Sequence, residues 1–572
     1  MSLFASLNLA RLSLMAHQTA IQTVGHNIAN ASTEGYARQR VQMRPTPADD
    51  LVFARIGTGV MVERIERIVN EHLEATLRDS RSGLGDFTEQ NRIYQMLESV
   101  FNDLGGGGLS ETLNNFFNAL EDLANQPEDA TARFIFLEES TSLADTLNFL
   151  DDKVRQLRSD LDDDIVAVYE EINRITTELA DLNKNIVLAE KGGEQPSTAN
   201  DLRTQRDFLL GKLSELIDIK VIENNRGAVQ VLNGNDVLVF DSHARTLDIR
   251  STTDGDITLH EGRFSDNGDQ IRPRGGRLAA LVEGRDSIVK SRRDQLDTLA
   301  KGLLDELNAL HTGGEGLTRH TSVRSANAVD GGDLALASAG LPFAVEDGSF
   351  LMQVVNEGDG TRESYTIFID ADGLNSDDTT LKDLATLINT VVGSDHPEIS
   401  AQVTVDGFLE ITSSDPSLTF TFRDDNSGFL VASGINTLFS GSNARSIQVS
   451  SWLLDDPSKV AAGRGGGVAD NSVVLDMLAL RDQGFLGASD MTFDQYYNAL
   501  VGKIGVEGAK ASDLLRNQEA ITQSFQNQRE ALSGVNIDEE AINLIRFQRA
   551  YQASARFLNV VDRLLETLIN SV

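Results

Sequence analysis

Apolar residues at both ends of the chain recur at alternating steps of three and four. Near the start they are Leu3, Leu7, Ala10, Leu14, Ile21, Val24 and Ile28, with His17 in the same register. This spacing predicts a helix from Leu3 to about Asn30 with one stripe suited to lie along a partner helix. Near the end, Leu544, Tyr551, Leu558 and Leu565 recur every seven residues, and Phe547, Ala555, Val561 and Leu568 widen the same face. Gly534 turns the chain before this second helix, Asn536 supplies an N-cap, and Glu539 stands where a capping-box acid belongs. Chain ends fray unless docked. Two long seams at opposite ends therefore predict that the termini meet, with the rest of the chain as an excursion between them.

The interior alternates between two periods. Residues 36–44 and 59–69 alternate weakly around Pro45 and Pro47 and predict a hairpin or extended arm. The pattern is helical from about Asn70 to Ala189, broken by the four glycines 105–108. Within it, Leu161, Ile165, Val168, Ile172, Ile175, Leu179, Leu182 and Ile186 again step by three and four. Leu202, Leu209, Leu213 and Leu216 follow after a turn, so an antiparallel helical hairpin is the economical expectation. Residues 219–271 alternate β-formers with turn residues and predict short antiparallel strands. Helix then resumes to about His311. The segment from about Leu341 to Gly441 is rich in strand patterns around one amphipathic helix, LKDLATLINTVVG, and helical patterns return after it.

Composition narrows the possible partners. The 572 residues carry a formal net charge of −37, which repels nucleic acid. The start departs from this average locally, since Arg11, Arg38, Arg40 and Arg44 outnumber Glu34. Chance at a small count and an end that meets an acidic neighbour both fit this excess. The chain has no cysteine, hence no disulfide or thiolate site, and its nine prolines favour long helices. No apolar run is long enough to span a bilayer, and no secretory signal is evident.

Catalytic chemistry is not evident. The sequence contains neither His-Glu-x-x-His nor Gly-x-Ser-x-Gly, and His311 and His320 are too far apart for one helical face. The acidic run Asp370, Asp372, Asn375, Asp377 and Asp378 departs from a calcium loop, because Gly373 comes too early and no closing Glu follows. It reads as a polar turn. The expectation is a non-enzyme with no cofactor and no metal site, whose functional residues are the two assembly seams.

The two ends resemble the bacterial flagellar rod, hook and hook-associated proteins. At the N-terminus the resemblance rests on Asn27, Ile28, Ala29, Asn30, Gly35 and Tyr36. At the C-terminus it rests on SGVNIDEEAINLIRFQRAYQASARFLNVVDRLLETLIN. Interior segments such as GGRLAALVEGRDSIV and DNSVVLDMLALRD extend it to the hook-associated members, and it is weak over Leu341–Gly441. The resemblance implies a mainly α fold with β-rich insertions. In that organisation, residues 1–35 and 535–572 form a terminal coiled-coil domain. Residues 36–325 and 445–534 form a helical-bundle middle domain carrying the arm 36–69 and the β region 219–271. Residues 326–444 form an outer β or α+β domain.

The resemblance also implies a structural adaptor, assembled as a ring of copies at the hook–filament junction of an extracellular flagellum. Its implied partners are further copies of itself, the hook protein, a second junction protein, a cytoplasmic chaperone at the C-terminal helical region, and the flagellar type III export apparatus. A hook or distal-rod role, or an adhesive outer domain, are the alternatives it leaves.

Overall fold

The computed structural model describes residues 3–51, 54–102, 108–191, 198–374, 377–487 and 490–570. Glycines 105–107, the turn residues 192–197, Asn375 and the side chain of Leu568 lie outside the described set. The chain divides into two compact units. One is Met1–Ile93, Ser159–Asp286 and Gly508–Val572; the other is Tyr94–Arg158 and Ser287–Glu507.

In the first unit, the N-terminal helix Leu3–Ala29 packs against the C-terminal helix Ile537–Asn570. Between the N-terminal helix and the next one, strands Gln39–Pro45 and Val60–Arg67 pair antiparallel, with a bulge between Gln42 and Met43. This is the hairpin arm. Asn70 starts helix Glu71–Val100 by accepting the backbone N–H groups of His72 and Leu73, which would otherwise be orphaned.

The heptad stripe from Leu161 to Ile186 belongs to helix Ala130–Ala189, 60 residues long. Sequence spacing offered this stripe a returning helix, and that helix forms at Asn200–Leu216. The hydrogen bonds, however, identify the β region as its cover. Asn173 exchanges bonds with both backbone groups of Leu247, at 2.9 and 2.8 Å. Asn183, fully buried, donates to Val229 O and Asp241 O and accepts from Val229 N. The Tyr169 ring lies where a side chain on Gly262 would stand, 2.5 Å from an ideal Cβ, so the strand approaches the helix through a glycine. The strands themselves form a four-stranded antiparallel sheet from Lys220 to Ala244 and a hairpin from Leu247 to Phe264.

The second unit is built around helix Lys290–Thr312, whose Leu296, Leu299, Leu303 and Leu307 are fully buried. A phenylalanine cluster supports it, with Phe116 5.5 Å from Phe136 and 6.3 Å from Phe439 between ring centroids. Two three-stranded antiparallel sheets follow. One centres on Gly348–Asn356, between Arg362–Ile369 and Leu418–Arg423. The other centres on Leu409–Ser413, between Ser322–Arg324 and Ile399–Val403. Helix Leu381–Val391 begins with a complete capping box between Thr380 and Asp383 and buries Leu384 and Ile388.

Two histidines that sequence spacing separates come together here. His311 and His320 lie 6.0 and 5.3 Å from the Trp452 ring. The backbone N–H of Ala461 donates to His311 Nε2, so its other nitrogen carries the proton and donates to Asn436 O at 2.6 Å. Burial pushes the His311 pKa down to about 4 and lowers that of His320 as well.

Candidate assembly site at the joined termini

Three contacts order the terminal helix pair. Ser13 Oγ meets Ser554 Oγ at 2.8 Å, the His17 ring lies 6.3 Å from the Phe547 ring, and Asn27 meets Glu540. One number rises as the other falls, so the helices run antiparallel. The fully enclosed positions are mostly small or polar: Ala10, Ala16, Ala20, Thr23, Val24 and Asn27 on one helix, and Glu540 and Val561 on the other. Small side chains let the two backbones approach closely. The large residues of the expected seams flank this line. Leu3, Leu7, Leu14, Ile21 and Ile28 are half-buried, as are Leu544, Phe547, Ala555, Leu558 and Leu565, while Tyr551 is exposed. The signal for the central line was present in sequence as Ser13, Ala16, Ala20, Thr23 and Asn27, also spaced by three and four.

His17 has no hydrogen-bond partner at Nδ1, and burial lowers its pKa. Its place against Phe547 fits a packed neutral ring.

The pair is locked at the end of the first helix. Asn27, 1% exposed, donates from one amide nitrogen to Gln39 O at 2.8 Å and to Glu540 Oε2 at 2.9 Å. Its oxygen accepts from the Gln39 N–H at 3.0 Å and from the Tyr36 hydroxyl at 2.9 Å. With the tyrosine proton committed to Asn27, His26 Nδ1 donates to the Tyr36 oxygen at 3.0 Å. Burial raises the Tyr36 pKa, with Asp201 and Glu540 adding to it, so the phenol stays a donor.

Arg38 supplies the charge. Its Nε and Nη2 reach Glu540 Oε1 at 2.9 and 2.6 Å, and Nη1 reaches Glu539 Oε2 at 3.1 Å. Its backbone N–H donates to Ser533 O at 2.8 Å. The acidic counterpart of this basic end thus includes the C-terminal helix of the same chain, and Arg40 pairs with Glu66. Glu539 turns to Arg38, while Asn536 still caps Asp538 and Glu539 N–H.

The remaining motif residues form the turn. Asn30 donates to His26 O and closes the helix. Gly35 has φ +76°, a conformation that disfavours side chains, and a Cβ there would press on Phe208 at 3.2 Å. Its carbonyl accepts from Arg529 at 2.7 Å. Ile28 is half-buried and Ala29 exposed.

The C-terminal helix carries a second apolar stripe that this pairing does not cover. Ile542, Ile545, Phe557, Val560 and Leu564 are 42–67% exposed.

Among the described residues one carboxylate group approaches metal-site geometry: Asp370, Asp372 and Asp378, within 4.8 Å of one another. Their oxygens accept backbone N–H groups of Asp372, Gly373 and Leu374, as a polar turn requires. No helix among the described residues is long and apolar enough to cross a membrane.

Comparison with known proteins agrees with the sequence motifs. The family described as the flagellar hook-associated protein FlgK helical domain matches residues 94–323. That described as the flagellar basal body rod FlgEFG protein C-terminal matches residues 526–571. The flagellar hook-associated protein 1 of Bacillus subtilis is 26% identical, over 100% of this chain and 99% of its own. The protein of the same name from Salmonella typhimurium is 25% identical, over 99% of each chain. The structure of the flagellar hook junction protein FlgK from Burkholderia pseudomallei aligns with TM-score 0.51 at 15% identity, covering 80% of this chain and 100% of that one. At that identity the likeness is one of fold.

Proposed function

The chain belongs to the flagellar hook-associated proteins, and from that premise we propose that it is the structural adaptor that joins hook to filament. The observation that carries this reading is the terminal helix pair, locked by Asn27, Arg38 and Glu540, with an uncovered apolar stripe along its C-terminal helix. Burying a large apolar side chain is worth about 1.5–3 kcal/mol. At their 42–67% exposure, burying what remains of five of them supplies roughly 4–8 kcal/mol of gross drive for association, against the cost of immobilising each subunit. A repeating head-to-tail contact uses such a stripe to build a ring or tube.

In this reading the family's flagellar location and its hook association extend to this chain. Residues 1–35 and 535–572 line the assembly, residues 36–325 and 445–534 form its middle layer, and residues 326–444 face outward. The finer partners are further copies of the chain, the hook protein, a second junction protein, an export chaperone at the C-terminal helices, and the type III export apparatus that carries the chain out of the cytoplasm. The role is mechanical and uses no cofactor. Placing Asp at both Leu14 and Leu558 tests it. Incorporation into flagella should be lost while residues 287–507 remain folded; normal filament growth in that double variant overturns the reading.

A further inference from the structure

The uncovered face of helix Ile537–Asn570 is basic as well as apolar. Ile545, Arg549, Arg556, Val560 and Arg563 fall within an arc of roughly 60° at the helical repeat, and all five are exposed. Asp562 and Glu566 lie outside that arc. The three arginines have no carboxylate partner among the described residues. Two such faces laid together set arginine against arginine, so this stripe repels its own counterpart on another copy.

A face with the same spacing and the opposite charge lies near the start of helix Ala130–Ala189. Phe134, Glu138, Asp145, Phe149 and Asp152 share an arc of similar width, roughly 60°. The two phenylalanines are 54% and 57% exposed, and the three acids are exposed as well. Glu138 and Asp145 have no basic partner among the described residues, and Arg155 reaches Asp152 at 3.4 Å. Lys153, at the edge of this face, holds its ammonium 5.2 Å from the Phe149 ring centroid.

The two patterns coincide residue by residue. Each runs apolar, charged, charged, apolar, charged, at intervals of four, seven, four and three. Laid parallel, all five positions meet in register; laid antiparallel, Arg563 would face Thr131 instead of Asp152. Helix Phe493–Ser533 repeats the apolar interval with Val506 and Ile521, 71% and 47% exposed. There, however, Lys510 and Asn517 hold the intervening places, so charge excludes it as a receiver.

We infer that the basic face of helix Ile537–Asn570 docks in parallel on residues 131–152 of a second copy. Ile545 meets Phe134 and Val560 meets Phe149, while Arg549, Arg556 and Arg563 meet Glu138, Asp145 and Asp152. Both faces are exposed in one folded chain, so each copy offers both halves and the contact propagates from copy to copy. The pairing rests on the proposed self-assembly and names its surfaces.

The test measures self-association of the full chain by sedimentation. Arg549→Glu with Arg556→Glu, and separately Glu138→Arg with Asp145→Arg, should each weaken it roughly tenfold or more, because each pair of reversals turns two attractions into repulsions. The four changes combined restore opposite charges across the contact and should recover most of the parent affinity. All four side chains are exposed, so circular dichroism of every variant should match the parent. Parent-like affinity in either double variant, or no recovery in the combined one, overturns the pairing while leaving self-assembly standing. A parent chain that stays monomeric up to its solubility limit overturns the self-assembly reading and the pairing with it.

Discussion

Asn27 donates a 2.9 Å hydrogen bond to Glu540, 513 positions away, and both side chains are buried. A single amide thereby ties the end of the first helix to the start of the last one and to the strand that opens the arm. Its neighbours Tyr36 and Arg38 complete the coordination, so a conservative change at any of these positions leaves a buried group unpaired.

Glu540→Ala should therefore open this region. It strips Asn27 of one acceptor and Arg38 of its main carboxylate, a loss of about 3 kcal/mol for a buried, charge-assisted contact. Hydrogen exchange should show protection across residues 10–29 and 540–561 falling roughly a hundredfold. Protection across residues 290–312 should stay unchanged.

Phe557→Ser with Val560→Ser should separate folding from assembly. Both residues lie on the exposed stripe, 42% and 56% exposed, whereas Val561 is buried and Ser554 bonds Ser13 of the N-terminal helix. Circular dichroism and exchange should match the parent, while self-association falls by an order of magnitude or more.

The second unit should weaken in mild acid. His311 is neutral when folded, with its pKa held near 4, and returns to about 6.5 when unfolded. Between those values the unfolded chain binds the extra proton. Stability is then fully present above pH 6.5 and declines as pH falls toward 4, by roughly 3 kcal/mol from this residue. The lowered pKa of His320 acts in the same direction. His311→Gln should flatten the dependence of the second unit's thermal midpoint between pH 7 and 5.

Asn183→Leu should detach the β region from its helix. It leaves Val229 N and the carbonyls of Val229 and Asp241 without their partner. A cost of about 2–4 kcal/mol is expected, at 1–3 kcal/mol per unmade buried bond with partial relief by water. Denaturation followed at probes within residues 220–264 should report it.

Local periodicity made much of this fold legible. The helix expected over Leu3–Asn30 forms at Leu3–Ala29, the amphipathic segment near 381–393 forms at Leu381–Val391, and the strands around Val354 and Phe420 form where alternation placed them. These elements depend on patterns within a dozen residues. Pairing across hundreds of residues has no such local signature. The Asn27–Glu540 bond and the meeting of His311 and His320 at Trp452 both arise from tertiary packing. The motif around Asn27 was visible in the sequence as a resemblance, and its reason became visible only as hydrogen-bond geometry.

The most direct measurement of the central claim is the position of the protein on isolated flagella, seen by gold labelling of an epitope in the surface loop near Asp406. The account predicts a narrow band at the hook–filament junction. Label spread along the whole hook would contradict it.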